Sequence, residues 1–114
     1  MSCKISTLSY FNVAAKRLAK KYPSFKQDLI RFCDELLKSP KQGTELTPGI
    51  RKIRMSIKSK GKGKSGGARV ITYNFIAKEN NDEIVLMLVY DKEDASSVKV
   101  EVLKQILKEE GFMS

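Results

Sequence analysis

The sequence predicts an α+β domain in which an N-terminal helical hairpin packs on a small antiparallel sheet, with a further helix at the C-terminal end. Three observations predict it: two successive amphipathic stripes before Pro40, a central block of alternating and apolar β-rich runs, and a last stripe with helical spacing. A chain of 114 residues has the length of one domain and is too short for two, so residues 1–114 are read as a single unit. Its 41% hydrophobic and 31% charged residues are the composition of a globular protein and not of a disordered one.

Residues 3–8, CKISTL, are expected to be a short opening strand. Residues 9–21 place Phe11, Ala14, Ala15 and Leu18 on one helical face, with Lys16, Arg17, Lys20 and Lys21 opposite. Tyr22-Pro23 stops this helix, because the residue before proline is pushed out of the helical region. Ser24 with Gln27 has the form of a capping box, and Asp28 falls in the electropositive first turn of a second helix. That helix carries Phe25, Leu29, Phe32, Cys33, Leu36 and Leu37 as its apolar stripe and ends at Ser39-Pro40. Two such helices joined by a short turn form an antiparallel hairpin that needs another surface to cover its stripe.

The sheet supplies that surface. After a turn-rich stretch from Gln42 to Gly49, residues 50–58 alternate, Ile53, Met55 and Ile57 against Lys52, Arg54, Ser56 and Lys58. In residues 68–77 Arg69, Ile71, Tyr73 and Phe75 share a face, and Asn80-Asn81-Asp82 turns the chain into IVLMLVY, residues 84–90. Such a continuous apolar run suits a strand covered on both faces, at the centre of the sheet or next to it. Val98, Val102, Leu103, Ile106 and Leu107 then define the last helix, closed by Gly111, although SVKVEV at its start also alternates like a strand.

The charge is localised. Of 22 basic residues, nine fall between Leu46 and Lys78 with no acidic residue among them, and the remaining thirteen balance the thirteen acidic ones. The whole net charge of +9 therefore belongs to one positive surface that wants an anionic partner. A membrane is the weakest such partner, because no segment pairs this charge with an apolar helical face. Ile5 to Ala15 is too polar and too short for a signal core or a membrane span, and neither Cys3 nor Cys33 has metal-ligand spacing; Cys33 reads as a small buried hydrophobe. A cytoplasmic location is expected.

The glycine-rich stretch SKGKGKSGG, residues 59–67, formally contains a dinucleotide fingerprint at Gly61, Gly63 and Gly66, but a strand follows where a helix is required. A P-loop would need its first glycine at Lys58. The stretch is read as a mobile, basic hairpin tip whose Lys58, Lys60, Lys62 and Lys64 are nucleic-acid phosphate contacts, against the plainer reading of a solvated loop. Lys52, Arg54 and Lys58 on one strand face, joined by Arg69 on the next strand, concentrate cations that only an anion relieves. Tyr90, Asp91 and Lys92 emerge at the end of the apolar strand, a common place for functional groups.

With no histidine in the chain and no carboxylate cluster beside these strands, serine-triad, histidine-based and two-metal hydrolysis are disfavoured, and neither a metal nor a small-molecule cofactor is expected. RNA carries its own nucleophile. Its 2′-hydroxyl can attack the adjacent phosphate if one group accepts its proton, another protonates the leaving oxygen, and cations stabilise the added charge. Lysine, arginine and tyrosine suffice for that reaction.

The ordered set Lys20-Lys21-Tyr22-Pro23-Ser24, Lys52-Ile53-Arg54, Gly67-Ala68-Arg69-Val70-Ile71 and Val89-Tyr90-Asp91-Lys92 resembles the RelE/ParE superfamily of toxins from type II toxin-antitoxin systems, over nearly the whole chain. The resemblance implies a RelE-like fold, a cognate antitoxin as partner, and cleavage of messenger RNA on the ribosome. It also implies proton transfer and phosphate stabilisation by Lys52 and Arg54, transition-state stabilisation by Arg69, and a cluster of Tyr90, Lys92 and, secondarily, Asp91. No tyrosine follows Tyr90, so the C-terminal catalytic tyrosine of RelE has no counterpart and the general base stays open. The 59–67 loop is also longer and more basic than in the short toxins. A ParE-like gyrase inhibitor and a non-catalytic RNA-binding member of the fold are the alternatives; Lys52, Arg54 and Arg69 favour the nuclease, since gyrase inhibition needs no phosphate-cleaving site.

Overall fold

The computed structural model describes residues 3–76, 82–94 and 97–113. In chain order these form β1 (Cys3–Thr7), α1 (Ser9–Lys21), α2 (Phe25–Lys38), β2 (Thr44–Thr47), β3 (Ile50–Met55), a 3-10 turn (Lys58–Lys60), the single turn α3 (Gly63–Gly66), β4 (Ala68–Ile76), β5 (Asp82–Asp91) and α4 (Val100–Glu109). The chain is an α+β protein with one five-stranded sheet in the order β1-β5-β4-β3-β2.

Helices cover both faces of that sheet. On one face Phe11 and Leu18 of α1 and Phe25, Phe32 and Leu36 of α2 pack against Ile53, Met55, Val70, Ile84, Leu86 and Val89. On the other, Leu103, Ile106 and Leu107 of α4 pack against Ile50, Ile71, Val85 and Met87, flanked by Tyr73 and Phe75. β5 is consequently apolar on both sides, as its unbroken run requires, and it neighbours the central β4. Leu37 and Val102, expected in the apolar stripes, are exposed at 43% and 49%; each lies one residue, and so about 100°, away from the buried Leu36 or Leu103. Phe112 N–H to Leu107 C=O and Gly111 N–H to Lys108 C=O close α4 as a Schellman motif, with Gly111 at φ +83°.

Four expectations need correction. The sheet is mixed, because β1 pairs in parallel with β5, from Cys3 opposite Asp82 to Thr7 opposite Leu86. A parallel partner requires a long crossover, and the elements from α1 to β4 between them provide it. Thr44–Thr47 is an edge strand and not part of a turn: its polar sequence carries no alternation, and pairing with Arg51 and Lys52 decides its conformation. β3 ends at Met55, so Ser56 and Lys58 lie beyond it, although Ile57 stays buried. Ser24 forms no capping box: it is itself in the helical region, and its hydroxyl donates to the Asp28 carboxylate at 2.6 Å while accepting Ser59 N–H at 2.8 Å. Of the expected turn Asn80-Asn81-Asp82, only Asp82, which opens β5, lies within the described residues, and β4 is described as far as Ile76.

One irregularity in β5 positions the site. Ile71 pairs with Leu88 but Thr72 pairs with Leu86, so Met87 is the extra residue of a β-bulge. Val85 and Met87 face α4, and after the bulge Leu88 and Tyr90 face the same way while Val89 turns to α1 and α2. An unbulged strand would put Tyr90 on the same face as Leu86.

Candidate functional site

The register builds a transverse row on the α4 side of the sheet: Arg54 of β3 stands opposite Arg69 of β4, and Arg69 stands opposite Tyr90 of β5. Directly opposed residues have their Cβ atoms about 5 Å apart. Lys52 lies one pleat along β3 from Arg54, facing the same way. Lys52, Arg54 and Arg69 open onto a groove of about 570 Å³ that Lys64 and Lys92 also line, with Gln42, Gly43, Thr44 and Leu46 from the edge-strand side and no carboxylate among the described residues; Tyr90 does not line it. Five of the candidate residues thus come together, from β3, α3, β4 and the turn after β5. A second depression of about 490 Å³ near Gly49 and Ile76 mixes Lys41 and Arg51 with Glu45, Asp82 and Glu83, so it lacks a field of one sign.

Arg69 is buried, 8% exposed, which is rare for a charged residue without a carboxylate partner. Backbone carbonyls take that partner's place. Its Nη1 donates to Lys64 C=O at 3.3 Å and to Ala68 C=O at 3.2 Å, and its Nη2 donates to Ser65 C=O at 3.0 Å. A guanidinium has five N–H donors, so Nε–H and one Nη2 proton keep no acceptor among the described residues. Nε and Nη2 lie on the side-on edge of a guanidinium, the edge that matches two oxygens of a phosphate. The Tyr90 hydroxyl is buried and has no hydrogen-bond partner among the described residues. Burial pushes its pKa up, with the Arg69 charge pulling the other way, so it is a neutral O–H donor at pH 7.

Asp91 is not part of this row. Alternation turns it to the α1/α2 side, where its carboxylate is buried and accepts from Lys60 Nζ at 2.7 Å, Glu93 N–H at 3.0 Å and the Tyr22 hydroxyl. Burial opposes its ionisation, but the hydrogen bonds from Lys60, Tyr22 and Glu93 outweigh that and hold its pKa at about 2. The basic loop shares this organisation. It has a defined conformation: the 3-10 turn and α3 fold it back, Gly67 C=O accepts Lys92 N–H at 3.1 Å, and Gly67 is packed so tightly that a Cβ there would lie 2.1 Å from the Met55 carbonyl oxygen. Lys60 points away from the groove, Lys62 pairs with Glu93 at 2.8 Å, Lys64 reaches both the groove and Glu35 at 3.8 Å, and Lys58 is exposed. The loop's glycines therefore serve close packing and turns more than looseness.

The sequence reading missed two supports. Tyr22 ends α1 and belongs to the motif set, but no local pattern marks its hydroxyl as a donor to Asp91. Asp28 is buried and accepts Lys58 N–H at 2.9 Å, fixing where the loop leaves β3. A signal for Asp28 existed: it occupies the i+3 position after Phe25 on the apolar stripe, where a carboxylate is costly unless it is hydrogen-bonded. Burial pushes the Cys3 and Cys33 thiols up, with Asp82 and Asp34 adding to it, which suits packing and not nucleophilic use. Among the described residues no group of three or more Cys, Asp or Glu could hold a metal ion, and no helix is long and apolar enough to cross a membrane. No model of a known protein family matches the chain.

Proposed function

We propose that this chain is a toxin of RelE-like type, a metal-independent endoribonuclease that cuts messenger RNA on the ribosome and is held inactive by a cognate antitoxin in the cytoplasm. The observation that carries the reading is the groove in which Arg54 and Arg69, opposed across β3 and β4, join Lys52, Lys64 and Lys92 with no carboxylate among the described residues, while Tyr90 stands opposite Arg69 in register. A polyanion is the natural occupant of such a groove, and a single strand is the form of RNA whose backbone can be bent over it.

In this reading the two free donors of Arg69 grip the scissile phosphate, and Arg54 stabilises the charge that develops as the 2′-oxygen adds. Tyr90, neutral because it is buried, donates a hydrogen bond to the phosphate or the leaving 5′-oxygen and is not the base. Lys52 and Lys92 stand on opposite sides of the row, so that one accepts the 2′-hydroxyl proton and the other gives a proton to the leaving 5′-oxygen. An RNA-binding member of the same fold without cleavage is the second reading; the three carbonyl contacts that already occupy Arg69 favour it.

Purified protein added to a bacterial translation system, with mapping of RNA 5′ ends, tests the proposal. Cuts confined to translated message, absent with Arg69→Ala, are the expected result. Intact message with bound RNA sinks cleavage in favour of the second reading, and DNA damage signalling on induction with intact message points to gyrase.

A further inference from the structure

Asp91 and Lys60 form a charged pair with almost no access to water: their side chains are 0% and 4% exposed. Taking both charges out of water costs free energy that two apolar residues in contact would not, so such a pair adds little stability for its burial. What it does fix is a geometry. The Lys60 ammonium is held by Asp91 at 2.7 Å and lies 5.5 Å from the Tyr22 ring centroid, and the Tyr22 hydroxyl donates to the same carboxylate. Lys21 approaches Asp91 at 3.8 Å. β5, the loop and the end of α1 thus meet at one carboxylate.

Two short paths lead from this point to the groove on the other face. Along β5, Asp91 is flanked by Tyr90 and Lys92. Along the loop, Lys60 is followed by Gly61 at φ +70° and then by α3, whose Lys64 and Ser65 carbonyls hold the Arg69 guanidinium. We propose that Asp91, with Lys60 and Tyr22, is a positioning group acting through the loop: it docks the 58–67 segment so that α3 holds the Arg69 guanidinium where it lines the groove. The role in catalysis rests on reading the groove as a phosphate-cleaving site; the coupling of Lys60 to Arg69 does not. Asp91, Lys60 and Tyr22 touch no substrate in this scheme.

The test compares the Arg69 Nε–H signal and the amides of residues 61–67 in ¹⁵N-labelled full-length wild type, Lys60→Met, Lys60→Arg, Tyr22→Phe and the remote control Lys104→Met. In Lys60→Met the Arg69 signal moves towards that of a free arginine; it returns in Lys60→Arg and stays in place in Lys104→Met. Cleavage in the translation system falls on the order of tenfold to a hundredfold in kcat at near-constant KM for Lys60→Met, and Lys60→Arg recovers it. An unmoved Arg69 signal in folded Lys60→Met overturns the proposal. Should Lys60→Met not fold, Tyr22→Phe, which keeps the ring and removes one donor, decides the question by the same signal. If the wild type cuts no RNA, the endonuclease reading fails while the Arg69 signal still decides the coupling.

Discussion

Arg69 on β4 faces Tyr90 on β5 in register, and the neighbouring Asp91 points to the opposite side of the sheet. One bulge at Met87 decides this arrangement. It brings beside the Arg69 guanidinium a hydroxyl that has no partner among the described residues, and it sends the carboxylate away, where it holds the loop.

Tyr90→Phe removes a buried hydroxyl that has no partner among the described residues. The variant is expected to be more stable than wild type by about 1 kcal/mol, because a desolvated O–H is lost and no contact with it. Cleavage should fall by roughly a hundredfold if the hydroxyl donates to the reacting phosphate. Urea midpoints and cleavage rates check the two halves; unchanged cleavage removes Tyr90 from the reaction.

Binding of a labelled single-stranded RNA should weaken steeply with salt. Each phosphate contact contributes about 0.7 to the slope of log K against log salt concentration for single strands. Lys52→Ala is expected to reduce the slope by that amount, since Lys52 lines the groove. Lys26→Ala, on the exposed side of α2, should leave it unchanged.

Glycines in the loop differ in what they permit. At Gly67 a Cβ would lie 2.1 Å from the Met55 carbonyl oxygen, a clash with backbone that cannot step aside. Gly67→Ala should cost about 3 kcal/mol and displace α3. Gly61 stands in open space at φ +70°, so Gly61→Ala bears only the left-handed strain, about 1 kcal/mol. Thermal melts of both variants test the difference.

Stability should depend on acid through Asp91. Its pKa is about 2 when folded and near 3.9 when unfolded. The unfolded chain therefore binds the extra proton, and roughly 2 kcal/mol of stability, complete above about pH 4, is lost as pH falls through 2. Lys60 acts at the other end: burial lowers its pKa, but Asp91 raises it further, so its contribution is complete below the unfolded value and is lost only as pH climbs through the raised one. Chemical denaturation of wild type and Asp91→Asn from pH 2 to 7 should show a larger acid loss in wild type than in the variant.

Elements with a strong period were legible in the sequence. The stripes of α1, α2 and α4, the alternation of β3 and the double-sided run of β5 each record which neighbours a residue must bury against, and burial of apolar area dominates there. The concentration of Lys52, Arg54 and Arg69 on one surface was legible as well, because charge density needs only composition and parity; Lys58, expected with them, lies beyond β3 and outside the groove, and Lys92 joins it from the turn after β5. Long-range pairing decided the rest. The β2 strand, the parallel pairing of β1, the side on which Tyr90 and Asp91 lie, and the folding of the glycine-lysine loop depend on partners distant in the chain: an edge to pair with, one extra residue at Met87, a carboxylate thirty-one positions from its lysine. A local pattern cannot carry such information, since a hydrogen bond or ion pair across the fold leaves no period in the sequence of either partner.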